Sequence, residues 1–286
     1  MPINVHFDME TQDPDDILAL CILATHPRAN LVSVSLHPGG RDQVGVVKHV
    51  LRRLGHNDVR VGAAGLEDGK SRVSAFHYRW LGNVKPEDPD GTAVGVIRES
   101  SIHRQIALVT GAAVTNPAAA VALYPDTFNI WVAQGGFAGD NVVPPEDRLP
   151  KFEGKLVCPT FNFNGDPTAA RNLLDSSIPV KRLVSKNVCH GVIHDRAAQN
   201  RLVRGCHPGL DLLIRGMEVY FERHPDGKAL HDVLAVALLF NADAATWARV
   251  EMYREKGGWG ARPVDQGGAL ITTRIDRPRV ERALAE

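Results

Sequence analysis

The strongest limit on how this chain can fold is its alternation of apolar, β-branched segments with stretches of helical period. Residues 3–7, 31–36, 59–61, 106–109, 128–132 and 180–184 are strand-like, and most are apolar on both faces. Between them, residues 17–24, 43–54, 116–123 and 168–174 carry apolar side chains at helical spacing, as at Val44, Val47, Leu51 and Leu54. Strand and helix repeated with short connections predict an α/β fold, a mostly parallel central sheet flanked by helices. In such sheets ligands bind at the carboxyl ends of the strands, so the residues following each strand carry the most functional information.

Two stretches interrupt the rhythm, residues 62–92 with Phe76, His77, Tyr78 and Trp80, and the Gly- and Pro-rich residues 135–160. Loops of that length are expected to cover a site. Beyond Arg196 the pattern is mainly helical, including an all-apolar helix over residues 233–240, with strand-like pieces at 248–253 and 269–275. Neither repeat nor linker divides the chain, so residues 1–286 are expected to form a single domain.

Thirty-three basic residues balance 33 acidic ones, which excludes the electrostatic footprint of a nucleic-acid or anionic-membrane binder. The four cysteines form no CxxC pair, and the first residues lack the basic and apolar regions of a signal peptide. A cytoplasmic protein acting on a small molecule is expected, with homo-oligomerisation open to it.

The densest chemical signal is five carboxylates within nine residues, Asp8, Glu10, Asp13, Asp15 and Asp16, where the first strand turns into the first helix. Asp13 as N-cap, Pro14 at the first helical position and acids in the first turn would serve helix initiation alone. Asp8 and Glu10 exceed that need, and clustered carboxylates without Cys or His pairs suit Ca²⁺ or Mg²⁺. His231-Asp232 opens the buried helix and could bring a ligand and a proton donor to the same edge. Two more strand-to-helix junctions follow the pattern, Thr110-Gly111 with Thr115-Asn116, and Thr160-Phe161-Asn162 with Asp166-Pro167.

In that order, and with Gly135-Gly136 and Asn141 between them, these clusters resemble the inosine-uridine-preferring nucleoside hydrolases. The resemblance covers nearly the whole chain and implies that family's open, Rossmann-like sheet and N-ribosyl hydrolysis. It further implies Ca²⁺ held by Glu10, Asp16, the Thr110 main-chain carbonyl and Asp232. Glu10 would serve as general base, with Asp13 competing for that role, and His231 would act on the leaving base. Asp15, Asn141 and Asn162 would orient the ribose, and His77, Tyr78 and Trp80, with Trp259, would meet the nucleobase.

Departures from the family pattern are concentrated around the substrate. Glu10 replaces an Asp and stands one residue further from Asp15-Asp16; His37-Pro38-Gly39-Gly40-Arg41 replaces an Ala-Gly-Asn. Thr160 stands where the family has Glu, so the 5′ position of the ribose is expected to accept a substituent, with Arg41 and Lys155 as candidate partners for an anion there. Two other readings compete. One is a haloacid dehalogenase-like phosphatase with Asp8 as nucleophile and Mg²⁺ as metal; the other is a catalytically silent ribose- or nucleoside-binding protein.

Overall fold

The computed structural model describes residues 1–286. Its first half follows the predicted alternation: β1 (Ile3–Met9), α1 (Pro14–Thr25), β2 (Ala29–Leu36), α2 (Arg41–Arg53), β3 (Arg60–Gly62), α3 (Ala75–Leu81), α4 (Ala93–Ser101), β4 (Ile106–Thr110), α5 (Thr115–Leu123) and β5 (Phe128–Gln134). The chain continues with β6 (Val157–Cys158), α6 (Phe161–Gly165), α7 (Pro167–Leu174), β7 (Val180–Val184), α8 (Lys186–Cys189), β8 (Ile193–His194), α9 (Arg196–Arg201), α10 (Pro208–Phe221) and β9 (Lys228–Ala229). It closes with α11 (His231–Phe240), β10 (Ala245–Glu255), β11 (Gly258–Pro263), β12 (Ala269–Ile275) and α12 (Arg277–Ala283).

Ten strands form one sheet in the order β3-β2-β1-β4-β5-β7-β12-β10-β11-β6. From β3 to β12 neighbours are parallel, whereas β10, β11 and β6 add an antiparallel extension. Apolar side chains on both faces of β1 and β4 explain why helices cover them: every residue of β4 is buried. Helix α11 is buried from Asp232 to Phe240, as its unbroken apolar run requires, and packs against α1 and β5.

One expectation about loops changes. Residues 75–81 form helix α3 rather than open loop, because Phe76, Trp80 and Tyr220 make one aromatic cluster that buries a face of the short helix. The antiparallel extension was visible only in part. β11 reads GWGARP, whose glycines and proline carry no strand signal, and it is held by pairing with β10 and β6.

Candidate active site

At the carboxyl end of the parallel strands lies a cavity of about 450 Å³, within the size range of small-molecule sites. Its acidic part comes from the β1–α1 junction and the start of α11. Asp13 caps α1 by accepting from the Asp15 N–H, and Pro14 occupies the first turn, so the helix-initiation reading is correct. The same turn delivers Asp15 and Asp16, both buried, to the edge of the sheet.

One carboxylate oxygen each from Asp15, Asp16 and Asp232 lies within 4.8 Å of the others. Ligands bound to a single Ca²⁺ at roughly 2.3–2.6 Å are at most about 5 Å apart, so one ion can span all three. The Glu10 N–H donates to Asp16 at 3.1 Å and the Asp232 N–H to Asp15 at 3.2 Å, fixing two of the three carboxylates from the main chain. Oδ1 of Asp232 is buried without a hydrogen-bond partner. Burial pushes both Asp16 and Asp232 well above the usual carboxylate range, followed by the charge of Asp232 in the case of Asp16 and of Asp15 in the case of Asp232. Three buried carboxylates, oxygen donors only, and an orphaned oxygen fit a hard dication.

The structure redistributes the expected ligand set. Glu10 lines the cavity, but its carboxylate folds back to accept from the Gln12 and Asp13 N–H groups, and Asp15 takes its place in the close triplet. Thr110 ends β4 one residue before Gly111, whose missing side chain lets the loop approach Asp16 and Asp232. Asp13 also lines the cavity; burial and then Asp15 raise its pKa to about 6.

His231, Asn162 and Thr160 line the cavity. Asn162 donates its amide to the main-chain carbonyl and the side chain of Gln134, at 3.0 and 2.7 Å, which leaves its own carbonyl oxygen unused. Nδ1 of His231 and Oγ1 of Thr160 are buried and unpartnered. Burial, then the nearby Lys228, lower His231 to about 4, so its ring is neutral at pH 7.

Five expected substrate contacts and both candidate anion partners lie elsewhere. Asn141 donates to the Ala261 carbonyl at 2.7 Å, tying its loop to β11. His77 is fully buried within α3, and Trp80 packs against α10 at Gly216. Tyr78 borders a separate hollow beside Arg41, and Trp259 is buried against Phe163. Arg41 pairs with Glu67 and Asp88, and Lys155 lies over the Phe152 ring, so neither reaches the cavity. Asp8, the nucleophile of the phosphatase reading, is buried under the sheet edge and accepts from Ser35 and Asn116. That placement removes it from any substrate and overturns the phosphatase reading.

The sequence reading missed Lys228, Lys186, His190 and Gln134. Lys228 sits 2.5 Å from Asp13 and 3.5 Å from Asp15. Burial works against its charge, but Asp15 and Asp13 outweigh burial and hold its pKa above the usual lysine value. A position three residues before His231-Asp232 was its only available signal. Lys186 and His190 follow β7, a strand end that carries no carboxylate and no family motif.

Residues 5–282 match the family model for inosine-uridine preferring nucleoside hydrolase. An uncharacterized protein of Aquifex aeolicus (strain VF5) is 26% identical over 279 residues, spanning 91% of this chain and 90% of that protein. Among solved structures, a plant nucleoside hydrolase gives a TM-score of 0.73 at 18% identity, covering 100% of this chain and 98% of the other. The inosine-uridine preferring nucleoside hydrolase from Bacillus anthracis gives 0.71 at 17% identity, with 99% and 97% covered. The purine-preferring ribonucleoside hydrolase from Gardnerella vaginalis gives 0.70 at 19% identity, with 99% and 96% covered. These structural likenesses establish the shared α/β fold. Because the family match runs from within β1 to within α12, the chain belongs to the inosine-uridine preferring nucleoside hydrolase family, the N-ribosyl hydrolases.

Proposed function

We propose that the protein hydrolyses the N-glycosidic bond of ribonucleosides, with or without a 5′ substituent, releasing free base and ribose, and that it uses Ca²⁺. The observation that carries this reading is the buried triplet Asp15, Asp16 and Asp232, three carboxylates within 4.8 Å at the carboxyl edge of the sheet. Asp16 and Asp232 would be the principal ligands, with Asp15 and the Thr110 carbonyl completing the set and Glu10 joining by releasing its main-chain partners. A dication bound there supplies charge that eases loss of a proton from water and holds vicinal ribose hydroxyls.

The remaining work falls to the chain's own side chains. Glu10, whose burial raises its proton affinity, accepts the proton of the attacking water, and Asp13 stands beside it as a second acceptor. Asp15 and the free carbonyl oxygen of Asn162 accept hydrogen bonds from ribose hydroxyls. Water attacks C1′ as the C1′–N bond breaks and its electron pair moves onto the base. His231, neutral and unpartnered at Nδ1, offers a donor to the base nitrogen where that charge collects.

Residues 1–286 act as one unit in this reading, supported by a sheet that joins strands from both halves of the chain. No helix is long and apolar enough to cross a membrane, and all four cysteines are free, which fits the cytoplasm proposed for it. Incubation with purine and pyrimidine ribonucleosides, with base and ribose resolved by chromatography, tests the function. Base release that stops on chelation and returns with Ca²⁺ is expected. Nucleoside-dependent thermal stabilisation without any release would identify a binding protein and overturn the reading.

A further inference from the structure

We propose that Lys186, His190 and Thr160, with Lys151 behind His190, form an anion subsite that receives a phosphate on the 5′ oxygen of the ribose. Lys186, His190 and Thr160 line the same cavity as the aspartates. The Lys186 ammonium donates to the Pro159 carbonyl at 2.7 Å, which anchors it beside Thr160. The Lys151 ammonium lies 2.7 Å from Nδ1 of His190, and the His190 ring is 4.9 Å from that of His231. The His190 N–H donates to the Lys186 carbonyl at 3.2 Å, so these four groups lie together between Thr160 and His231.

Neither ammonium pairs with a carboxylate; their partners are a carbonyl and an imidazole. Thr160 supplies an independent sign of an absent ligand, since its hydroxyl is buried, with the residue only 3% exposed, and has no hydrogen-bond partner. A phosphate provides acceptors for that hydroxyl and for the ammonium groups together.

With the substrate a ribonucleoside, as proposed, the position of the anion follows from its chemistry. The 2′ and 3′ hydroxyls face the carboxylates and C1′ carries the base, so the 5′ oxygen is the ribose oxygen left for a substituent. The reaction is then a ribonucleoside 5′-monophosphate plus water giving free base and ribose 5-phosphate. Water oxygen bonds to C1′, the C1′–N pair leaves with the base, one water proton passes to a carboxylate and is returned through solvent to the base, and the phosphate ester stays intact.

The test measures binding of ribose 5-phosphate and of ribose by calorimetry in the presence of Ca²⁺. It also measures base release from inosine, uridine, their 5′-monophosphates and xanthosine, whose base is acidic. Both sets use the full chain and the Lys186→Gln and Lys151→Gln/Lys186→Gln variants, with melting temperatures confirming that each is folded. Charge-assisted hydrogen bonds of the usual strength predict a preference of about tenfold or more for the phosphorylated ligands. That preference should shrink by about tenfold in the double variant and weaken with added salt. Equal binding of ribose and ribose 5-phosphate, or a preference untouched by either variant, overturns the subsite. So does a lysine-dependent gain seen for xanthosine and not for the 5′-monophosphates. Base release from nucleosides without a phosphate preference overturns the subsite and leaves hydrolysis standing. Lysine-dependent binding of ribose 5-phosphate without base release from any substrate supports the subsite and removes the hydrolase reading.

Discussion

Gly111 packs so closely on Asp16 that a Cβ at position 111 would lie 2.6 Å from the Asp16 Oδ1, and 2.8 Å from that of Asp232. Main chain fills one side of the carboxylate cluster, and the distance leaves no room for a methyl group. Gly111→Ala should therefore separate the two acids, reduce Ca²⁺ affinity and lower kcat/KM by about 100-fold, the cost of a misplaced reacting group. Calorimetric titration with Ca²⁺ checks this; unchanged affinity would show that the loop yields without moving the carboxylates.

Asp16 and Asp232 repel each other and resist ionisation where no cation neutralises them. Asp232→Asn should raise the melting temperature in chelator, by roughly 2–4 °C per kcal/mol of repulsion relieved for a chain of this size class. The same substitution should abolish the further rise that Ca²⁺ gives the parent protein. Because both acids have raised pKa values in the folded state, acidifying the metal-free parent through that range should stabilise it, and the variant should show less of this effect. A parallel fall in both conditions would mean that Asp232 serves packing alone.

His231 is expected to act on the leaving base. His231→Ala should slow ordinary nucleosides by about 10²- to 10³-fold, the usual cost of removing one hydrogen-bond donor to developing charge, while sparing a nitrophenyl riboside whose leaving group needs no donor. Equal losses on the two substrates would assign the ring a structural part beside Asp232.

His6 and Asp8 share the Ser35 hydroxyl, at 2.8 and 2.5 Å, inside the sheet. Burial lowers His6 to about 3 and raises Asp8 to about 7. Between roughly pH 4 and 6.5 the unfolded chain gains a proton at His6, whereas the folded chain holds one at Asp8, so their effects on stability cancel. Asp8→Asn should uncover the histidine, with stability falling as pH drops through that window by about 1.4 kcal/mol per unit more than in the parent. His6→Gln should shift the slope in the opposite direction. Denaturant midpoints from pH 4 to 7 measure both, and coincident slopes in all three proteins would show that the pair does not titrate as described.

Much of this arrangement was legible because the residues at issue obey local rules. Asp13-Pro14 announces a helix start, the unbroken run after Asp232 must be buried, and the β-branched segments alternate with helices at the expected period. Those rules place Asp15, Asp16, Asp232 and His231 at one edge. What they do not contain is side-chain direction. Glu10 turns to its own main chain, Asn141 turns to β11, and Arg41 finds carboxylates on a neighbouring loop. His77 and Trp80 are drawn into an aromatic helix face, since burial of large rings outweighs solvent exposure of a loop. Lys228, Lys186 and His190 became visible only through tertiary packing.

The position of β12 has a consequence for biogenesis. It is the last strand in sequence order, yet it lies between β7 and β10. Until residues 269–275 have been synthesised, β7 and β10 each present an unpaired edge, and β6, which leads to Thr160, belongs to a separate antiparallel fragment. A nascent or truncated chain is thus open to intermolecular strand addition, and the two parts of the sheet are joined only when this final strand enters between them.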